Sequence, residues 1–444
     1  MTKKTRAFPR VIRICAAAVF LLAAGFAFSG FSGLFAQFLH IQLGPALVKC
    51  AAAFSLGTLA VVLGIALFTV LFGRFYCSVF CPFGILQDAA GFLSRRKAKA
   101  VPDYAKTRYA IAGIVFGALL CGWSGGFLLL DPYSNFGRIF AFFTLGGVIP
   151  PVLLILLAVW KKRIYCTTVC PVGALLGLLA KYGIFKLSIR GKCVKCGKCV
   201  QGCPSGCIDV ESGVIDNGRC VRCMNCISAC PLGCIGFAAP KRREEAVPMD
   251  TSRRRFLISG GVLIAGLAAG AALAKTGLGK IEEFARRFKI LPPGAGSAER
   301  FAAKCTACQL CTVNCPAKII VPATGGDGPV SLDLSRGVCQ FDCNRCTLVC
   351  PTGALKPLTL EQKRKTKIAE AKFNPRTCIV FQEDVPCGQC ADVCPVHAIR
   401  LRKNGAPRPV DTALCIGCGA CQKVCPADEK AMTVHEIEKQ ITAV

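Results

Sequence analysis

The sequence predicts a multi-domain chain: an α-helical membrane bundle of four spans plus a fifth, carrying two small cysteine-rich α+β modules. Three observations lead there. Of 444 residues 53% are hydrophobic, and the mean hydropathy of +0.51 is higher than an ordinary soluble domain shows. The apolar residues gather in runs near the ~20 residues that a helix needs to cross the hydrocarbon core. The chain also has 33 cysteines, 24 of them in six near-identical quartets. Disulfide scaffolds are short and irregularly spaced, so this arithmetic points to metal.

The membrane part comes first. Lys3, Lys4, Arg6, Arg10 and Arg13 precede an apolar run that is too long for a secretory signal and lacks a cleavage site. A first span is therefore expected near 14–38, and similar runs follow near 50–73, 108–130 and 141–160. The connections 39–49 and 131–140 hold one basic residue each, Lys49 and Arg138, whereas 74–108 holds Arg74, Arg95, Arg96, Lys97, Lys99, Lys106 and Arg108. Lys161, Lys162 and Arg163 follow the fourth span. Positive charge marks the cytoplasmic side, which places the N-terminus, the middle loop and the region after the fourth span there.

An internal repeat lies on that side. Arg74-Phe-Tyr-Cys77-x3-Cys81-Pro82-x-Gly84 recurs as Arg163-Ile-Tyr-Cys166-x3-Cys170-Pro171-x-Gly173. A pseudo-symmetric arrangement brings the four thiols Cys77, Cys81, Cys166 and Cys170 together. They either share a cluster or metal, act as redox dithiols, or are structural. Asp131, in Asp131-Pro132-Tyr133 at the outer end of the third span, is a candidate acceptor of a quinol proton, against the plainer reading of a solvated helix end. His40, at the outer end of the first span, has the same two readings. Cys15, Cys50 and Cys121, within spans, read as packing residues.

Residues 193–234 read CVKCGKCVQGCPSGC, a spacer, then CVRCMNCISACPLGC. Each half is C-x2-C-x2-C-x3-C-P, the run that holds [4Fe–4S] clusters in bacterial ferredoxins, with the fourth cysteine ligating the neighbouring cluster. That assigns Cys193, Cys196, Cys199 and Cys230 to one cluster, and Cys220, Cys223, Cys226 and Cys203 to the other. Zinc sites use paired Cys-x2-Cys motifs, a different pattern. Cys207 and Cys234 stand where the later repeats have Ala354 and Ala398, and read as small packing residues. Four more quartets follow: Cys305, Cys308, Cys311 and Cys315; Cys339, Cys343, Cys346 and Cys350; Cys378, Cys387, Cys390 and Cys394; Cys415, Cys418, Cys421 and Cys425. The second and third of these have longer first gaps. Spacing leaves open whether neighbours pair in sequence or nest. The basic stretch Lys363 to Lys372 reads as a solvated helix, or as a dock for an acidic partner.

The formal charge of +30 invites a nucleic-acid reading. Six clusters, at about −2 each with their thiolates, lower it to about +18, and basic flanks beside apolar runs are orientation signals. Three histidines and the absence of C-x-x-C-H exclude bis-histidine and c-type haem, and no dinucleotide fingerprint is present. No residue set for a bond-making reaction stands out. Between the modules, Ser252-Arg253-Arg254-Arg255-Phe256-Leu257 opens an apolar run to Ala274, similar to a twin-arginine export signal. It is expected either to stay as a fifth helix or to be cut after Ala274.

On these motifs, residues 1–240 resemble the NapH-type membrane ferredoxin of periplasmic nitrate-reduction systems. Residues 250–444 resemble its NapG-type exported four-cluster partner; methylamine-utilisation ferredoxins are similar. Here both parts stand in one polypeptide. The expected domains are a membrane domain (1–190), a cytoplasmic two-cluster module (191–240), a linker with the export signal (241–275) and a periplasmic four-cluster module (276–444). The resemblance implies an inner-membrane electron carrier with six [4Fe–4S] clusters, oxidising quinol and reducing a periplasmic reductase or cytochrome. A redox maturation factor for a periplasmic metalloenzyme is the alternative.

Overall fold

The structure, a computed structural model, describes residues 3–29, 37–52, 56–93, 102–121, 123–140, 145–190, 193–238, 249–274, 290–322, 329–403 and 405–442. The basic cluster Arg95 to Lys99, the linker 241–248 and the bond after Ala274 lie outside these, at least in part. The helical part comprises α1 (Lys3–Phe28), α2 (Leu43–Ala52), α3 (Leu56–Phe72), α4 (Pro82–Leu93), α5 (Ala105–Leu120), α6 (Pro132–Arg138), α7 (Leu145–Lys161) and α8 (Pro171–Lys181).

Among the described residues one helical stretch, Ala7–Phe28, is long and apolar enough to cross a membrane; Leu56–Phe72, Ile149–Lys161, Pro171–Lys181 and Ile258–Leu273 are apolar but shorter. The run expected as a third span is broken. After α5 the Trp123 amide reaches back to the Ala118 carbonyl, which closes that helix, and a separate short helix, Gly125–Leu130, follows. Pro132 at the first turn of α6 starts the next element, where its missing N–H costs nothing.

α9 (Met249–Ala274) lies against α5 with its glycines in register. A Cβ on Gly117 would sit 2.2 Å from the Leu267 carbonyl oxygen, and one on Gly270 would sit 1.9 Å from that of Ile114. Gly113 and Gly266 face each other in the same way. Four small residues, at i and i+4 on each helix, thus let two backbones approach to contact.

The first cysteine-rich module is a small α+β unit. β1 (Lys186–Ile189) pairs antiparallel with β4 (Ile235–Ala238), and β2 (Ile208–Asp209) pairs with β3 (Val214–Ile215). In the second module β5 (Ile320–Pro322) pairs with β6 (Val330–Leu332), and β7 (Glu370–Phe373) pairs with β8 (Met432–His435). The basic stretch Lys363 to Lys372 is not a solvated helix. Its helix ends at Arg364, Glu370 onward is strand, and the buried Lys363 ammonium donates to the Gln340 and Phe341 carbonyls.

Both modules share a core with the helices. One buried cluster holds Phe28, Leu43, Phe83 and Leu176 from the helical part, Val221 and Cys223 from the first module, and Ala307 and Leu310 from the second. α1 runs between them. Its Arg13 pairs with Asp88, toward the first module, and its Phe28 lies against Tyr133, whose hydroxyl donates to Thr306 of the second. Fifteen helical residues separate those ends by about 22 Å.

Candidate functional site

The cysteine loops owe their shape to backbone geometry. In each of the four quartets with standard spacing, the residues on either side of the second cysteine have positive φ: Lys195 and Gly197, Arg222 and Met224, Ala307 and Gln309, Gly417 and Gly419. Such residues are uncommon unless they are glycine. Set around one negative-φ residue, they curl the chain so that successive N–H groups face inward, a concavity suited to anions and iron–sulfur centres. Only Gly197, Gly417 and Gly419 advertise this in the sequence. Burial pushes the Cys305 thiol up to about 12, and burial with nearby Asp88 pushes Cys223 up to about 12. Free thiols there stay protonated, and a bound metal is what would hold them as thiolates.

Four pockets lie at these loops. Their walls settle which loops face each other. Cys220, Cys223 and Cys226 line the first together with Cys203. Cys305, Cys308 and Cys311 line the second with Cys350. Cys415, Cys418 and Cys421 line the third with Cys394, and Cys378, Cys387 and Cys390 line the fourth with Cys425. Cys339 and Cys346 lie near Cys315, and Cys199 lies near Cys230. Each Cys-Pro cysteine therefore faces its neighbour's loop, and quartets pair in sequence rather than nest.

Backbone amides reach these sulfurs: Cys234 N–H to Cys230 Sγ, Leu355 N–H to Cys350 Sγ and Ala398 N–H to Cys394 Sγ, each at 3.3 Å. Cys207, read from sequence as a packing residue, is buried and also sits 3.5 Å from Cys203, sulfur to sulfur. Within the second module the Cys339 amide donates to the Cys418 carbonyl, which joins its two halves, and the Lys363 ammonium lies near both cysteines. Nothing in the spacing marked Lys363.

The two Cys-x3-Cys-Pro copies do come together. Cys77, Cys81, Cys166 and Cys170 are all buried in the helical core. Arg163 donates to the Cys77 carbonyl at 2.8 Å, and Arg74 donates to the Cys166 carbonyl at 3.1 Å, so each copy's arginine grips the other copy. Glycine is required at Gly84 and Gly173. A Cβ on either would come within 2.4 Å of the carbonyl of Cys77 or Cys166 respectively.

Asp131 is no solvated helix end. Its carboxylate is fully buried and caps α6, Oδ2 accepting from Ser134 N–H at 2.8 Å and Ser134 Oγ–H at 3.0 Å, while Oδ1 has no hydrogen-bond partner. Gly44 leaves room for it. Tyr165 beside the thiols donates to the Leu130 carbonyl, and Tyr76 donates to Gln42. His40 is half-buried.

Small α+β modules wrapped around cysteine-lined cavities define the class, an iron–sulfur protein. A 4Fe-4S binding domain matches residues 54–100 and 141–190, each range containing one Cys-x3-Cys-Pro copy. A 4Fe-4S dicluster domain matches 338–398 and 385–429, and a further 4Fe-4S binding domain matches 190–206, 217–236 and 302–318. The methylamine utilization ferredoxin-type protein MauM of Methylophilus methylotrophus is 33% identical over 181 residues, 37% of this chain and 79% of its own length. The ferredoxin-type protein NapF of Escherichia coli K12 is 31% identical over 31% of this chain and 80% of its own. For NapG of the same strain the figures are 30%, 41% and 84%. No solved structure matches. The chain belongs to the ferredoxin-type iron–sulfur proteins, which are electron-transfer proteins.

Proposed function

We propose that this chain is a membrane-bound polyferredoxin that takes electrons from the quinol pool and passes them to a periplasmic reductase or cytochrome. The observation that supports it is the shared core: helices, first module and second module contribute to one buried cluster that includes Cys223, the helical thiols and Ala307. Twenty-four cysteines would hold six [4Fe–4S] clusters, in the pairings that face each cavity. Bound clusters would supply one-electron carriers; the chain's own residues position and tune them. Curled loops aim N–H groups inward, amides at 3.3 Å stabilise charge on sulfur, and apolar side chains exclude water.

In this reading α1, α3, α5 and α7 are four spans. A 17-residue helix such as α3 is about 25 Å long, short of the ~30 Å core, and a thinned bilayer or inserted modules would make up the rest. The close α5–α9 glycine contact favours α9 as a retained fifth helix carrying the second module to the periplasmic side. Asp131, buried yet with one oxygen unpartnered, is the proposed group for a quinol proton. The test is a redox titration of the purified full chain by electron paramagnetic resonance, with and without a quinol analogue. Quinol-dependent reduction of second-module signals is expected; no reduction of any cluster by quinol would overturn the relay.

A further inference from the structure

The helical core contains a fully buried cation for which the six ferredoxin clusters leave no use. Arg74 is 0% exposed, and among the described residues no carboxylate pairs with it. Its Nη1 donates to the Gly218 carbonyl at 3.1 Å and its Nη2 to the Cys166 carbonyl, and Nη2 also faces Cys77 Sγ at 3.8 Å. An arginine does not shed its proton in a protein, so burial demands a negative partner. Arg163, equally buried, and Arg13 share the single carboxylate of Asp88. Arg108, close by at the Thr167 carbonyl, has Asp103. Arg163 beside the thiols is therefore answered by a carboxylate, and Arg74, in contact with Cys77 Sγ and the Cys166 carbonyl, is not.

Each of those thiols has its own N–H donor. Cys77 Sγ faces Arg74 Nη2, Cys81 Sγ accepts from Gly84 N–H at 3.4 Å, Cys166 Sγ accepts from Gln87 Nε2 at 3.3 Å, and Cys170 Sγ accepts from Gly173 N–H at 3.2 Å. Two of the donors are first-turn amides after Cys-Pro, and two are buried side chains. Four sulfurs, each served by one donor, have the environment of thiolates rather than of packing thiols, which need none.

We propose that Cys77, Cys81, Cys166 and Cys170 are the ligands of a seventh [4Fe–4S] cluster, held across the two halves of the repeat. A cube with four thiolates carries about −2 and would supply the negative partner that Arg74 lacks. The matching 4Fe-4S domain names a kind of site and no ligands; the donors, the buried charge and the cross-gripped carbonyls supply them. The four residues share one buried cluster with Cys223 of the first module and Ala307 of the second. A linking role there rests on the relay reading, whereas the metal assignment does not.

The experiment measures iron and acid-labile sulfide in anaerobically purified full chain and in Cys77→Ala/Cys166→Ala. By four irons per cube, about 28 are expected in the wild type and about 24 in the variant, with the ferredoxin-module resonance signals unchanged as the check on folding. If the double variant does not fold, Arg74→Gln decides. Loss of its cation should lower the midpoint potential of one signal and leave the others in place. About 24 irons in the wild type with alkylatable thiols at these positions, a Cys77–Cys166 or Cys81–Cys170 disulfide, stoichiometric zinc, two extra irons instead of four, or no potential shift in Arg74→Gln would each overturn the proposal. Quinol titration separates the two readings. Seven clusters that quinol does not reduce would sink the relay and leave the site, and six clusters that it does reduce would do the reverse.

Discussion

The two copies of the Cys-x3-Cys-Pro repeat are alike where they face each other and differ where they face outward. Arg74 and Arg163 reach across to each other's first cysteine carbonyl, and Gly84 and Gly173 clear the same space. One turn further along α4 and α8 the symmetry ends. Asp88 in the first copy corresponds to Gly177 in the second. Arg163 has a two-oxygen ion pair with Asp88, both contacts at 2.7 Å, while Arg74 has the Gly218 carbonyl of the first module instead. A Cβ on Gly177 would come within 2.7 Å of that carbonyl oxygen. The position without a carboxylate is thus the place where the ferredoxin module docks, and the two halves of the helical repeat differ at that side chain.

The harshest way to break this comparison is to remove the carboxylate that the first copy kept. Asp88→Asn strands Arg13 and Arg163 and should cost about 3–5 kcal/mol, read as a lowered thermal unfolding midpoint in detergent. An unchanged midpoint would mean the pair is not what secures the first copy. Burial acts to raise the Asp88 carboxyl, but the guanidiniums of Arg163 and Arg13 outweigh it and hold it below the ordinary carboxylate range. Its stabilising charge is therefore fully present above the unfolded-state value near 3.9 and is lost as pH falls through the lower folded one.

Restoring the symmetry is the next test. Gly177→Asp offers Arg74 a carboxylate but drives a Cβ into Gly218, so the clash should cost about 1–3 kcal/mol and make residues 193–238 easier to proteolyse. Wild-type protease resistance would show that docking does not depend on this contact. Gly84→Ala and Gly173→Ala probe the part that stayed symmetric. Both Cβ atoms meet a backbone carbonyl at 2.4 Å, so equal losses of about 1–3 kcal/mol are expected, and a large inequality would argue that the copies are not equivalent. The smallest effect belongs to Gln87→Leu, which copies Leu176 into the first half. It removes the hydrogen bond to Cys166 Sγ at a cost of about 0.5–1.5 kcal/mol, detectable as a small midpoint shift with iron content unchanged.

Local spacing was enough to pick out the 24 cysteines as candidate ligands, because their quartets follow or nearly follow the C-x2-C-x2-C-x3-C-P run that holds [4Fe–4S] clusters in bacterial ferredoxins. It was also enough to find the repeat and its four further thiols. Whether the last four quartets pair in sequence or nest, the packing of α9 on α5 and the breaking of the third apolar run at Trp123 depend on contacts between distant segments, about which spacing carries no information. The same holds for charge. Arg74 and Arg163 occupy equivalent positions in equivalent motifs, and so do Asp131 and any other helix cap. Whether such a group is solvated, paired or left with an unanswered charge is decided by what the rest of the chain brings against it. A buried ion's energy depends on its surroundings far more than on its neighbours in sequence.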